Sequence, residues 1–446
     1  MSSNAAPLAV PKPFDRHLGR RTVMMALLLC AAGVPLLPTN EMKVAGTVWV
    51  TGSVLLFGVY VAWRSGEVFG RTALDLPVLA FFAVAVLATV YGVNPRLSAL
   101  PNSTRGEGLL DYVVYLAAAL AASRLGRSEA RELLAVLLGA GALIGATGIA
   151  QYYGFDPTTW IGSRGLNYGI RSWGTLANPD FLGGYSALVL PIGAAMAAGA
   201  AERRQWWGYA CAVILVYGAL LGSQTRSAWA AVALAAAILL WRLPRTAVVY
   251  RRLAALTLAC LAVTAVMIAT QPRVSLGGRA QSAFSAGDSS MQGKLWIWEH
   301  VLPMIRQRPV LGWGFSAVLG HLPGLGTPSY YRVFGHTAVF IDVAHNDLLQ
   351  VAVNMGLLGV AAYLWIWFTV VCAVALPQAG GGPPPAVPRP RGTSPEAAGL
   401  LAGFAAYFVW LQFLWSHIGD ANVFWVLAGI ALSVGRAAAR RPDEAA

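Results

Sequence analysis

The sequence predicts an all-α polytopic membrane protein with about 12 transmembrane helices. Hydrophobic residues make up 57% of the 446 residues and charged residues only 11%, whereas an ordinary soluble protein has about 25% charged residues. A soluble enzyme of this length would lack the charged surface that it needs, and a disordered chain would hold far fewer apolar residues. Long apolar runs also recur along the chain, many of them near the ~20 residues that a membrane-spanning helix requires.

We interpret twelve of these runs as spans, because charges, glycines and prolines separate them. They lie near 23–38, 44–63, 74–92, 108–123, 132–152, 180–201, 206–222, 227–241, 253–271, 346–376, 397–416 and 421–437. The predicted organisation is therefore nine spans with short loops over 1–271, one large extracytoplasmic loop over 272–345 between helices 9 and 10, and three spans over 346–446. Within the last part, the Pro/Gly-rich stretch 379–396 has the composition of a flexible cytoplasmic linker.

The distribution of lysine and arginine predicts the orientation of these spans. With the N-terminus in the cytoplasm, 20 of the 32 basic residues fall in inner segments, 6 in short outer loops and 6 in the large loop. Because cytoplasmic loops carry an excess of basic residues, we expect both termini in the cytoplasm and the large loop outside the cytoplasmic (inner) membrane. The net charge of +13 then reflects topology, and we expect a lipid bilayer and no nucleic acid as partner. All four cysteines fall inside spans, so neither a disulfide framework nor a metal site is expected.

Two outward cations lie beside the membrane in the first half of the chain. Arg171 precedes Asn178-Pro179-Asp180, which has the residue types of a helix N-terminus; its side chain is suited to phosphate, or else to snorkelling towards water. Arg226 lies in a tight turn between spans seven and eight. An arginine at membrane depth costs about 2.5–3.5 kcal/mol on insertion scales, so we expect an acid or an anionic ligand beside it unless it simply reaches water. A guanidinium suits bidentate contacts with phosphate.

The large loop contains a helical pattern from Lys294 to Arg308. Trp296 and Trp298 are typical of a helix at the membrane interface, and Pro303 is expected to kink or end it. Lys294 is predicted to open this helix and to place a charge near its N-terminal amides, where an anion binds well. A solvated surface lysine is the alternative.

The large loop ends in a segment rich in histidine and aspartate that enters span ten. His345 can accept a proton near neutral pH and is therefore a candidate general base, and His336 is a second candidate. Asp342 and Asp347 are near enough in sequence to orient a histidine ring, and Asn346 lies between them. Together with the outward cations, this segment indicates anion binding coupled to proton transfer.

These segments resemble the O-antigen ligase and O-antigen polymerase family. PVLGWGFSAV (309–318) followed by AHNDLLQVAVNMGLLGV (344–360) is similar to its outer-loop signature, in which Pro-x-x-Gly-x-Gly precedes a His-Asn pair that opens a helix containing Gly-Leu-x-Gly. TRSAWA (225–230) is similar to the family's Ser-Arg turn, and RSWGTLANPDFLGGY (171–185) to its Asn-Pro helix entrance. The resemblance covers most of the chain, and its late loop is the most specific part.

The resemblance implies a GT-C-like, inverting, metal-independent glycosyltransferase that uses no cofactor and has an extracytoplasmic active site. Its donor would be a glycan on undecaprenyl pyrophosphate, and its acceptor a hydroxyl of lipid A-core, as in lipopolysaccharide biosynthesis, or of another cell-surface glycan or glycolipid. Matched by motif, Arg226 would bind the pyrophosphate and act in catalysis, while His345 would deprotonate the acceptor. Lys294 stands where the family usually has arginine; it keeps the charge but lacks the bidentate fork. Thr225 replaces the usual serine before the turn arginine.

The predicted site therefore combines two catalytic residues, one of which also binds the pyrophosphate, with two further pyrophosphate ligands and three supporting residues. The set is His345 and Arg226; Lys294 and Arg171; and Asn346, Asp342 and His336.

Other functions remain open at this point. A polysaccharide polymerase or a protein O-oligosaccharyltransferase of the same family would use the same chemistry on another acceptor. A transporter or lipid flippase would need ionisable residues or broken helices near the membrane midplane, yet five spans lack charges across their centres and Asp111 in span four is an isolated exception. A scaffold without catalysis would leave Arg226 and His345 unexplained.

Overall fold

The computed structural model describes residues 16–64, 70–100, 107–161, 171–270, 276–281, 289–335, 341–376 and 394–439. Over these ranges the chain is helical and contains no β-strand, which confirms the all-α prediction. Its long helices are α1 (Leu18–Leu36), α2 (Asn40–Arg64), α3 (Asp75–Val90), α4 (Leu109–Ala122), α5 (Arg127–Tyr152), α6 (Pro179–Ala198), α7 (Arg203–Ser223), α8 (Arg226–Arg242), α9 (Ala247–Thr270), α10 (Ser289–Gln307), α11 (Asp347–Ala375), α12 (Pro395–Leu411) and α13 (Ile418–Ala439). Each of the twelve predicted runs coincides with one of these helices, and α10 belongs to the large loop.

The lengths of the helices fit a multi-pass membrane protein. Within the described ranges, eight helices are long and apolar enough to cross a membrane: α1, α2, α5, α6, α7, α9, α11 and α13. Helices α3, α4 and α12 are apolar but shorter, and α8 has 17 residues. The count of twelve spans, the GT-C arrangement and the division into three regions stay predictions.

Helix α6 lies at the centre of the packed helices, against α7, α8 and α12. Small residues on α6 let these neighbours approach closely, as is common between membrane helices. A Cβ atom at Gly184 would lie 2.5 Å from the ring of Trp410, and one at Gly183 would lie 2.6 Å from the Cβ of Thr225. The two glycines therefore bring the start of α8 and the end of α12 against the start of α6.

Helix α11 is interrupted near its middle, where the segment 309–314 docks onto it. Gly356 has φ +65° and ψ −169°, a conformation open essentially to glycine alone. The carbonyl of Val353 accepts a hydrogen bond from the Trp313 amide at 2.7 Å, and the Leu357 amide donates to the Pro309 carbonyl at 2.7 Å. The two halves of the outer-loop signature are therefore hydrogen-bonded to each other through their backbones.

Helix α10 differs in two respects from the predicted helix 294–308. It begins at Ser289, so Lys294 lies beyond its first turn and the prediction that Lys294 opens the helix is wrong. The apolar face extends back to the buried Gly293, and the polar Ser289 and Ser290 precede it. Pro303 lies inside the helix, which continues to Gln307. The buried Met304 follows Pro303, so packing beyond the proline supports the last turn.

Candidate functional site: a cationic cavity beside His345

One cavity of about 340 Å³ brings together side chains from five parts of the chain. The first part is the start of α6 together with Arg171 before it. The others are the α7–α8 turn with the start of α8, the short helix Leu276–Gln281, the first half of α10 and the residues that follow α12. Its described lining consists of Arg171, Asp180, Gln224, Thr225, Arg226, Ser227, Ala230, Arg279, Ser290, Met291, Lys294, Phe413 and Leu414. Four of these residues are basic and one is acidic, so the cavity has the electrostatic character of an anion site.

The α7–α8 turn places Arg226 in this lining. Gln224 has φ +54° and ends α7 in the left-handed conformation, so the chain reverses within two residues. The hydroxyl of Thr225 donates to the carbonyl of Pro179 at 3.0 Å, which fixes the start of α8 to the start of α6. Arg226 and Ser227 then form the first turn of α8, where backbone amides lack helical partners. The methyl group that threonine adds to the usual serine lies in the space left by Gly183.

Arg171 is fixed by three contacts rather than snorkelling towards water. Its guanidinium donates to Asp180 Oδ1 at 2.6 Å, to the Ser223 carbonyl at 2.9 Å and to Thr225 Oγ1 at 3.3 Å. The Asn178 side chain accepts from the Asp180 amide at 2.8 Å, which confirms the predicted helix entrance. Asp180, which the sequence indicates only as a capping residue, is the acid that balances Arg171.

Lys294 lines the same cavity from α10 and lies close enough to Asp180 to interact with it electrostatically. One turn later on the same helix, the indole nitrogen of Trp298 donates to the carbonyl of Ala344 at 3.0 Å. Helix α10 therefore connects the cavity to the residue that precedes His345.

His345 lies beside the cavity, against the segment that forms one of its walls. Its ring meets the Trp415 ring edge-on, with centroids 4.9 Å apart, and Trp415 directly follows the lining residues Phe413 and Leu414. His345 itself is outside the described lining. Its backbone has φ +50°, which is uncommon for a residue other than glycine.

Asn346 and Asp347 anchor this wall. The Asn346 side chain accepts from the Leu349 amide at 3.0 Å, capping α11, and donates to the Gln412 carbonyl at 3.0 Å. The carboxylate of Asp347 accepts from the Tyr363 hydroxyl at 2.7 Å and from the Ser416 amide at 2.9 Å. Asn346 thus supports the site as a helix cap and holds Gln412, while one oxygen of Asp347 holds Ser416 and the other accepts from Tyr363 on α11 itself.

Of the two remaining supporting residues, Asp342 and His336, the structure describes only Asp342. Asp342 is buried, 5% exposed, three residues before His345 and near the carboxyl group of Glu107. His336 lies outside the described residues.

Sequence reasoning missed two residues. Arg279 lines the cavity and donates to the Gln224 carbonyl at 3.5 Å; the only signal was a basic residue in the short LGGRAQ segment. Glu107 accepts hydrogen bonds from Gln350 and Asn354. The sequence indicates such an acceptor only through Gln350 and Asn354, two amide side chains one helical turn apart among the mainly apolar residues of α11.

Comparison with known proteins supports the resemblance stated above. No curated protein matches the chain. Residues 210–364 match the family described as O-antigen ligase, a segment that contains Arg226, Lys294 and His345 and both halves of the docked outer-loop signature. The similarity to that family therefore covers the part of the chain from within α7 to within α11.

Proposed function

We propose that the protein is a glycosyltransferase of the O-antigen ligase type, which moves a glycan from undecaprenyl pyrophosphate to an acceptor hydroxyl on the outer face of the cytoplasmic membrane. The observation that carries the proposal is the single cavity that collects Arg226, Lys294 and Arg171 next to His345. The family match over 210–364 supports the same type of chemistry.

The cavity is suited to a pyrophosphate in charge and in hydrogen-bonding groups. Arg226 offers a planar guanidinium for bidentate phosphate contacts, and Lys294 adds a positive charge from α10. Arg171 keeps Asp180 as its counter-ion and contributes donors that are already oriented. Cations in these positions stabilise the negative charge that grows on the leaving pyrophosphate.

The reaction follows from this arrangement. His345 removes the proton of the acceptor hydroxyl, and the oxygen attacks the anomeric carbon of the donor sugar. The bond between that carbon and the pyrophosphate oxygen breaks, and its electron pair leaves with undecaprenyl pyrophosphate. Attack from the face opposite the leaving group inverts the anomeric configuration.

A reconstituted transfer reaction tests the proposal. Purified protein in liposomes, given a lipid-linked glycan and lipid A-core or another glycolipid acceptor, should release undecaprenyl pyrophosphate and form a glycosidic bond of inverted configuration. Absence of release with every acceptor class, in protein that binds the donor, would contradict it.

Related functions are distinguished by the products. A polymerase would lengthen the lipid-linked glycan itself, and a protein O-oligosaccharyltransferase would form a glycopeptide. A flippase or transporter would move the donor across the bilayer without consuming it. The docked segments around His345 favour transfer, because a proton acceptor next to an anion cavity has no evident use in moving an intact lipid.

A further inference from the structure

The residue before His345, Ala344, is held at both of its backbone polar groups. The Ala344 carbonyl accepts from the Trp298 indole at 3.0 Å, and the Ala344 amide donates to Gln350 Oε1 at 2.7 Å. Ala344 is fully buried, so these partners replace water. His345 has the left-handed φ of +50°, which is uncommon for a residue other than glycine. The backbone of Ala344 therefore has to hold this conformation, and with it the direction in which the His345 ring points.

The orientation of the Gln350 amide depends in turn on Glu107. Gln350 turns its oxygen towards Ala344, so its NH2 group must find an acceptor on the other side. Its nearer acceptor is Glu107 Oε1, 3.0 Å from Gln350 Nε2, and a longer contact of 3.4 Å joins it to Asn354 Oδ1. The amide of Asn354, one turn further along α11, donates to the same carboxylate oxygen. Hydrogen bonds thus run from Glu107 through Gln350 to the residue before His345.

We propose that Glu107 and Gln350 are positioning residues for His345, and that the ionised Glu107 carboxylate holds the Gln350 amide in the orientation that fixes the peptide before the histidine. This inference rests on the proposed role of His345 as general base. Neither residue touches the cavity lining, so donor binding does not depend on them.

The surroundings of Glu107 make this positioning of His345 sensitive to pH. Burial raises the pKa of Glu107 to about 7; hydrogen bonds from Asn354 and Gln350 oppose this shift, and the charges of Asp342 and Asp347 add to it. Asp111 and Tyr112 on α4 also face the carboxyl group. Protonation weakens the carboxylate as an acceptor of two hydrogen bonds, so the positioned form is present above about pH 7 and is lost below it.

The pH dependence of kcat/KM for glycan transfer tests the inference. In the wild type both His345 and Glu107 must lose a proton for full activity, so log kcat/KM should fall with a slope steeper than one over about one pH unit below about pH 7. Glu107→Gln offers a neutral oxygen, as the protonated carboxyl group does, and this oxygen does not titrate. The variant should therefore have about tenfold lower activity at pH 8 and show a slope of about one throughout. Glu107→Leu removes the acceptor and should lower kcat about tenfold while the donor KM stays unchanged.

Two further variants make the result decisive. Gln350→Leu should lower kcat like Glu107→Leu. Glu129→Gln, which alters a hydrogen-bonded carboxylate at the start of α5, should leave the steeper wild-type slope unchanged. The same steep slope in Glu107→Gln would overturn the inference, and this isosteric variant carries the test if Glu107→Leu fails to fold. If His345→Ala keeps full turnover, the base assignment itself fails; if it is inactive while the Glu107→Gln slope is unaltered, only the positioning role fails.

Discussion

Two arginines, Arg171 and Arg226, line the cavity from different parts of the chain. The charge of Arg171 is balanced by Asp180, and their side chains are 23% and 35% exposed. Arg226 begins α8 with its side chain in the cavity lining. We therefore expect Arg171 to matter chiefly for the architecture of the site and Arg226 chiefly for the ligand.

Replacing Arg171 tests the first part of this distinction. Arg171→Gln removes the ion pair that Asp180 forms with Arg171 and should lower stability by roughly 1–3 kcal/mol, the usual cost of losing a partner of a charged hydrogen bond. The double variant Arg171→Gln/Asp180→Asn should recover much of that loss, because no uncompensated charge remains. Thermal unfolding of the four proteins in detergent measures the coupling. Strictly additive losses would contradict the assigned pair.

Replacing Arg226 tests the second part. Arg226→Lys keeps the charge but removes the bidentate fork, so donor binding should weaken about tenfold or more; Arg226→Ala should weaken it further. Titration with undecaprenyl pyrophosphate, followed by intrinsic tryptophan fluorescence, checks the affinity. Arg203→Lys, at the exposed start of α7, is the matched control and should bind normally. Equal affinity in Arg226→Lys and the wild type would mean that the guanidinium makes no phosphate contact.

At the level of elements, the break in α11 holds the outer loop in place. A Cβ atom at Gly356 would lie 2.2 Å from the Val310 carbonyl oxygen, and the positive φ of Gly356 adds strain to any side chain there. Gly356→Ala should therefore lower the free energy of unfolding by more than about 1–3 kcal/mol and displace the segment before His345. Gly139→Ala, on α5 with no atom within 4 Å, should be neutral or slightly stabilising.

Thermal unfolding and transfer activity of both glycine variants check this prediction. If Gly356→Ala is as stable and as active as Gly139→Ala, the docking of 309–314 onto α11 does not hold the loop.

The sequence predicted the helices well and their contacts poorly. Apolar runs and charges placed every long helix, because burial in a bilayer restricts where polar residues occur. Capping chemistry identified the Asn178 entrance of α6, since that bond is local. Asp180 is nine positions from Arg171. The other partners of Arg171, the docking of Gly312 beside α11 and the hydrogen bonds of Glu107 join residues tens to hundreds of positions apart. Such contacts depend on how helices pack, and no local pattern encodes them.

At the scale of the whole molecule, the orientation in the membrane follows from charge. The excess of basic residues on one set of loops predicts that the α10 region lies outside and the α8–α9 connection inside. In a background without its natural cysteines, Leu325→Cys should react with an impermeant thiol reagent from outside intact cells. Arg245→Cys should react only after permeabilisation. The reverse pattern would place the cavity on the wrong side for a lipid-linked donor.

The cavity, His345 and helix α10 form one site, in which the cavity binds the donor and His345 takes part in the chemical step. Transfer by reconstituted His345→Ala, compared with its affinity for undecaprenyl pyrophosphate, tests that division most directly. We predict that this variant binds undecaprenyl pyrophosphate with near-normal affinity and loses turnover by at least about 100-fold, the usual contribution of a general base. Unchanged turnover in a well-folded His345→Ala protein would contradict it.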